Sequence, residues 1–336
     1  MGLLLFSGSG PKAADPDRSG TSVITAYQRR QKVKPVKTTH FGIQRKIVAN
    51  MTSESWFAVP HAGPVSEFDV TDLLDAFQKL RASGRLQHKL SINTLLLKII
   101  AEGLKDAKSL NAHITYNQRF VTGKVEQFDE IHFSIPMQLP NGEMMTINFH
   151  NFENKTLDEM SAYIDDVRRR LENTNLTEAM FEVSMDNTLT ALKHLKIGTV
   201  LGRLVGAKLG KYRIKTLSGK AKRDYLAIPE KDRITKRDIE QGTITVSNMG
   251  ATDRGRVGFV PLLEIIPPQV AVIATFAITE RPWVVTRENG EKEIAIRKIL
   301  PVTVLFDHRA CEYSDVVPLL NKIQDVCSHP EQIMDW

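Results

Sequence analysis

The sequence predicts an α/β (α+β) domain in which a mixed sheet is backed by helices, and three stretches carry that prediction. Residues 299–320, ILPVTVLFDHRACEYSDVVPLL, pass from an apolar and β-branched run, Ile299 to Phe306, into helical apolar spacing from Ser314. This is the pattern of a buried strand feeding a helix. Ser91 to Ala107 is a long apolar stretch whose positions 95, 96, 99, 100 and 104 fall on one helical face. Strand-like runs recur at 119–126, 131–139 and 144–149.

The elements follow in order along the chain. Residues 1–40 hold Gly, Ser, Pro and scattered charge without periodicity, and read as a flexible basic arm. The opening MGLLLFSGSG lacks the basic start and apolar length of a secretory signal, and Phe6 stands where myristoylation wants a hydroxyl. A domain is expected over 41–336. It opens with a helix at Phe41–Met51, then a strand ending at Val70 and a helix capped near Thr71 or Asp72. Pro140-Asn141-Gly142 supplies a hairpin turn, and a helix follows from Thr156 to Leu171 with a charged outer face.

Size and composition bound the function. With 336 residues and 42% hydrophobic content the chain can bury a large core. No apolar run approaches the roughly 20 residues of a membrane span. Two cysteines, Cys311 and Cys327, make neither a disulfide framework nor a zinc site, which fits a reducing, cytoplasmic compartment. The net charge of +6 is concentrated: eight Lys/Arg from Arg18 to Lys46 and ten from Lys193 to Arg223, with no acidic residue in either segment. The remainder is net acidic, so attraction to phosphate, anionic lipid or an acidic partner is local, and a nucleic-acid partner is not expected.

His308 sits on the seam between the last strand and the last helix. An imidazole titrating near neutrality takes a proton from a thiol or hydroxyl and returns it later, and such a turn holds the ring still while leaving it open. In the segment 176–241, Gly198, Gly202, Gly206 and Gly210 recur every fourth residue and would form one smooth helical stripe opposite the basic residues. Three readings of this segment stand: a helical pair packed over the domain, an amphipathic helix on an anionic membrane, and a basic flap for the phosphates of a substrate. GAKLGKY lacks the glycine spacing and hydroxyl of a nucleotide-binding loop.

The run Phe306-Asp307-His308-Arg309 with its flanks resembles the DHRxxDG signature of the 2-oxoacid dehydrogenase acyltransferase catalytic domain, a family related in fold to chloramphenicol acetyltransferase. FGIQRKIVANM is similar to the RKxIAxxM segment that opens the domain, and Pro60, His61, Glu67, Asp69 and Val70 match its IPHFxxxxEVDVTxL. GTITVSNMG resembles GTFTISNLG, and IIPPQVAVIATFAITERPWV resembles a long diproline segment of the same family. The chain departs at Glu312, which replaces aspartate, and Tyr313, which replaces glycine.

The resemblance implies a chloramphenicol-acetyltransferase-like fold, assembly as a homotrimer, and coenzyme A or acyl-CoA as substrate without a metal. It also implies His308 as general base, Ser247 as donor to the oxyanion, and an Arg45–Glu312 ion pair bracing the turn. His61 is expected to be structural. No lipoyl attachment segment is recognisable, so two expectations stand: a separate lipoyl-bearing protein or dehydrogenase component carries the acceptor thiol, or the acceptor is another group, such as a hydroxyl or an amine. Two alternatives stand beside this reading: a catalytically silent trimeric scaffold, because Glu312 and Tyr313 break the signature, and a peripheral membrane protein using the insertion at 176–241.

Overall fold

The computed structural model describes residues 36–37, 41–138, 144–183, 216–287 and 289–336. The chain divides into two units, Met1–His40 and Phe41–Trp336; the second contains every element below. Its centre is one long strand, β10 (Lys292–Asp307). Every residue from Ile299 to Phe306 is apolar or β-branched, and all nine from Ile299 to Asp307 are buried.

Four strands pair with β10. On one edge lie β2 (Val65–Asp69) and β1 (His61–Ala62), and on the other β8 (Ala271–Thr275) and β9 (Thr279–Thr286), all antiparallel. The sheet continues from β8 through β7 (Ile244–Asn248) and β5 (Phe133–Gln138) to β6 (Met144–Phe149). The β8–β7 and β7–β5 pairs are parallel, which makes the sheet mixed. A separate hairpin joins β3 (Ala112–Asn117) and β4 (Thr122–Gln127).

The expected strand at Ile299 begins earlier, at Lys292. From Lys292 to Lys298 the strand pairs with β9 and alternates exposed and half-buried residues, so it lacks the continuous apolar run that marks its buried half. After α-helical residues 92–106 a 3₁₀ turn, Lys108–Leu110, leads into β3 at Ala112. The expected turn at Pro140-Asn141-Gly142 lies outside the described residues, although β5 and β6 on either side of it pair antiparallel.

The helices form where the spacing places them. α1 (Ile43–Ala58) runs past the expected Met51, and α2 (Thr71–Ala82) follows Val70. In α3 (Ile92–Asp106) the Ser91 hydroxyl accepts from Thr94 N–H at 3.0 Å, satisfying one of the four donors that a helix start leaves open. Thr156 and Glu159 cap α4 (Leu157–Glu172) reciprocally. After helical residues 176–183, the described chain resumes with α5 (Gly219–Leu226) and α6 (Lys236–Ile239); the last α-helix, α7 (Tyr313–Ser328), is followed by a 3₁₀ turn at Pro330–Asp335.

α3 and α7 pack closely at Gly103, where a Cβ would stand 2.6 Å from Leu319 Cδ1. Leu95, Leu104, Phe133, Phe149, Phe152, Met160 and Val304 form part of one continuous core. The insertion's glycine stripe, Gly198 to Gly210, lies outside the described residues. Its C-terminal end returns to α4 through a buried ion pair, Arg170 to Asp238 at 2.9 Å.

Candidate active site

β10 delivers the candidate base. Its last residue, Asp307, is fully buried, and His308 follows with 48% of its side chain exposed. The backbone between them is fixed from several sides. His308 N–H donates to Pro60 O at 3.0 Å, and Ala310 and Cys311 N–H both donate to Asp307 O. The Asp307 carboxylate accepts from Arg309 N–H (3.0 Å), Nε (2.9 Å) and Nη2 (2.5 Å). Arg309 in turn lies over the Tyr116 ring, 5.4 Å from its centroid. Hydrogen bonding to Asp307 raises the Arg309 pKa above its ordinary value, so this cation is permanent. The turn that presents the imidazole is thus tied to a buried, neutralised carboxylate.

The His308 ring meets Phe306 edge-on at 5.5 Å, and its Nδ1 lies 3.7 Å from Glu312 Oε2. Glu312 precedes α7, where its N–H donates to Asp315 Oδ2 at 2.8 Å. The expected Arg45–Glu312 ion pair is not formed among the described residues. Arg45 is exposed in the first turn of α1, and the longer glutamate turns back along its own segment to the imidazole. Cys311 is no second nucleophile: burial, with Asp315, Asp307 and Glu312 nearby, pushes its thiol up to about 12, and Sγ donates to Ser109 O at 3.4 Å.

Ser247 lies in β7 and is buried. Its hydroxyl has only a weak partner among the described residues, Met249 Sδ at 3.6 Å. The strand below it is held by Gln269, fully buried, which donates to Gly242 O and accepts from Thr245 Oγ1. Beside it, Asn248 donates to Asn93 Oδ1 at 2.9 Å and accepts from Ala251 N–H, linking the strand end to α3. The sequence reading passed over Gln269, Asn93 and Asn248. Only the placement of Asn248 at a strand end beside Ser247 hinted at such a role.

The sheet register sets the distance between the two candidates. Ser247 pairs with Ala274, and Ala274 with Thr303, so Ser247 stands level with a residue five positions before His308. With about 3.4 Å per residue and about 4.8 Å between strands, the two lie roughly 19 Å apart in one chain. They share a sheet, two strands and five residues apart.

His61 lies opposite Asp307 in β1. Its Nε2 accepts from Ile265 N–H at 3.0 Å, which leaves Nδ1 to donate to Val59 O at 2.8 Å. Both nitrogens are engaged by backbone, as expected of a structural histidine.

The sequence of these elements matches the family described as 2-oxoacid dehydrogenases acyltransferase (catalytic domain) over residues 32–190 and 211–335. The chain belongs to this family. Among curated relatives of this acyltransferase domain is the lipoamide acyltransferase component of the branched-chain alpha-keto acid dehydrogenase complex of Pseudomonas aeruginosa. It is 26% identical over 294 residues, covering 86% of this chain and 51% of the relative. The dihydrolipoyllysine-residue acetyltransferase component of the Mycobacterium bovis pyruvate dehydrogenase complex is 22% identical, covering 83% and 39%. The chain therefore spans about half or less of the length of these relatives.

Solved acyltransferase structures share its fold. A probable dihydrolipoamide acetyltransferase from Listeria monocytogenes superposes with a TM-score of 0.58 at 18% identity, covering 87% of this chain and 94% of that one. The cubic core of the pyruvate dehydrogenase multienzyme complex gives 0.58 at 17% identity, covering 90% and 96%. Among the described residues no group of three or more His, Cys, Asp or Glu is placed to hold a metal ion.

Proposed function

We propose that this domain transfers an acyl group between coenzyme A and a dihydrolipoyl-type thiol, at a site formed between the subunits of a trimer. The observation that carries the reading is the presentation of His308: a half-exposed imidazole on a backbone pinned by the buried Asp307–Arg309 pair. A base so held accepts the proton of an attacking thiol, and a thiol of pKa near 8.5 needs little help to ionise. The thiolate adds to the thioester carbonyl, and the electron pair moves to oxygen. Ser247, with a hydroxyl not committed to a strong acceptor, donates to that oxyanion, an interaction worth about 3–4 kcal/mol of barrier. Collapse expels the second thiolate, which takes the proton back from His308.

The register argues for the shared site, because two groups roughly 19 Å apart in one chain address a common carbonyl only across a subunit boundary. The test is incubation with acetyl-CoA and dihydrolipoamide, with free coenzyme A measured chromatographically. Release that vanishes in His308→Ala is expected. No release with dihydrolipoamide, or with a panel of thiols, hydroxyls and amines, would leave a folded scaffold without transferase activity.

A further inference from the structure

Glu312 occupies a position from which it acts on the imidazole itself. Its Oε2 lies 3.7 Å from His308 Nδ1, and it is the one ionic partner of that ring among the described residues. The other charged groups nearby are engaged elsewhere. Asp307 is closed by Arg309, Asp315 in α7 holds Glu312 N–H, and His61, facing from β1, is bonded through both nitrogens to backbone. Arg309 is committed to Asp307 and Tyr116.

We propose that Glu312 is a positioning residue for the transfer reaction: its carboxylate holds the proton of His308 on Nδ1, so that Nε2 faces the acyl acceptor as the free base. The proposal rests on His308 being the general base. The separation is longer than a hydrogen bond, and such contacts in ligand-free enzymes close when substrate excludes water. The extra methylene of glutamate supplies the reach, and Asp315 keeps the backbone in place while the side chain turns toward the ring.

Two substitutions separate this role from simple capping of α7. Glu312→Asp retains a good N-cap residue but draws the carboxylate back by one methylene, and Glu312→Gln removes the charge at nearly constant shape. Both variants are expected to lower kcat about three- to tenfold at unchanged KM, with the melting temperature of Glu312→Asp unchanged. Wild-type kcat in both would overturn the proposal, leaving Glu312 as a helix cap.

A measurement on the unaltered protein is independent of variant folding. Nitrogen-15 spectra of histidine-labelled protein, with His308→Asn used for assignment, should show neutral His308 protonated at Nδ1. Protonation at Nε2 would overturn the proposal. Full activity in His308→Ala would instead remove the general-base reading, which the Nδ1 spectrum does not address.

Discussion

The carboxylate of Asp307, with no exposed surface, is closed by Arg309 through the backbone N–H and both Nε and Nη2 of the same residue. Its neighbour in sequence is the candidate base, so the pair anchors the turn on which His308 stands. Arg309→Met is expected to destabilise the fold by about 3–5 kcal/mol, because it leaves an uncompensated buried charge. Arg309→Lys should be intermediate, since an ammonium cannot reproduce the planar fork. Urea denaturation of the three proteins at neutral pH checks the order.

A second acid gives stability a pH dependence. Asp69 ends β2, and although burial opposes its ionisation, hydrogen bonds from Thr71 and Arg297 outweigh that and hold its pKa below the ordinary value. A carboxyl depressed in the folded state stabilises above its unfolded pKa, near 3.9, and the contribution is lost as pH falls through the lower folded value. Asp69→Asn should therefore be less stable than wild type at pH 6 by about 1–2 kcal/mol. The gap should narrow between pH 4 and pH 3 in denaturation curves, and a constant gap would contradict the pairing.

The two cysteines give a simple check of burial. Cys311 and Cys327 are both buried, and burial pushes each thiol up to about 12. Neither should react with a colorimetric disulfide reagent at pH 8 in the native protein, and both should titrate at once in guanidinium. Rapid native labelling of Cys311 would mean that the turn after His308 opens readily.

Gly63 divides β1 from β2 at a place with no room for a side chain. Its φ is +150°, and a Cβ there would sit 1.9 Å from Val304 O in β10. Gly63→Ala must push β1 or β2 off the central strand, at a cost of about 2–4 kcal/mol from strain and lost pairing. A melting temperature within a degree of wild type would contradict the close approach.

What the sequence made legible follows from how each signal is generated. The buried half of β10 is an apolar run because both its faces are covered, so the strand and the seam at His308 could be read directly. The half from Lys292 to Lys298 was not legible, since pairing with β9 alone leaves charged residues on it. The helices expected from Ser91 and Thr156 start there, each capped by that residue's own side chain, whereas the cap expected near Thr71 or Asp72 falls on Val70, which makes no side-chain cap hydrogen bond. The partner of Glu312 was misjudged. The choice between Arg45 on a distant helix and His308 four residues back depends on packing and reach, which spacing does not encode. Gln269 and Asn93 were missed likewise, as their hydrogen bonds join segments far apart in sequence.

In the proposed trimer, the levelling of Ser247 with Thr303 rather than with His308 would make each chain half of two different workplaces. Two preparations that are each inert, one lacking the imidazole and one lacking the hydroxyl, should regain turnover when unfolded together and reassembled. Random mixing in equal amounts would restore roughly a quarter of the sites, because each draws one member from either of two independently chosen chains in a cyclic assembly.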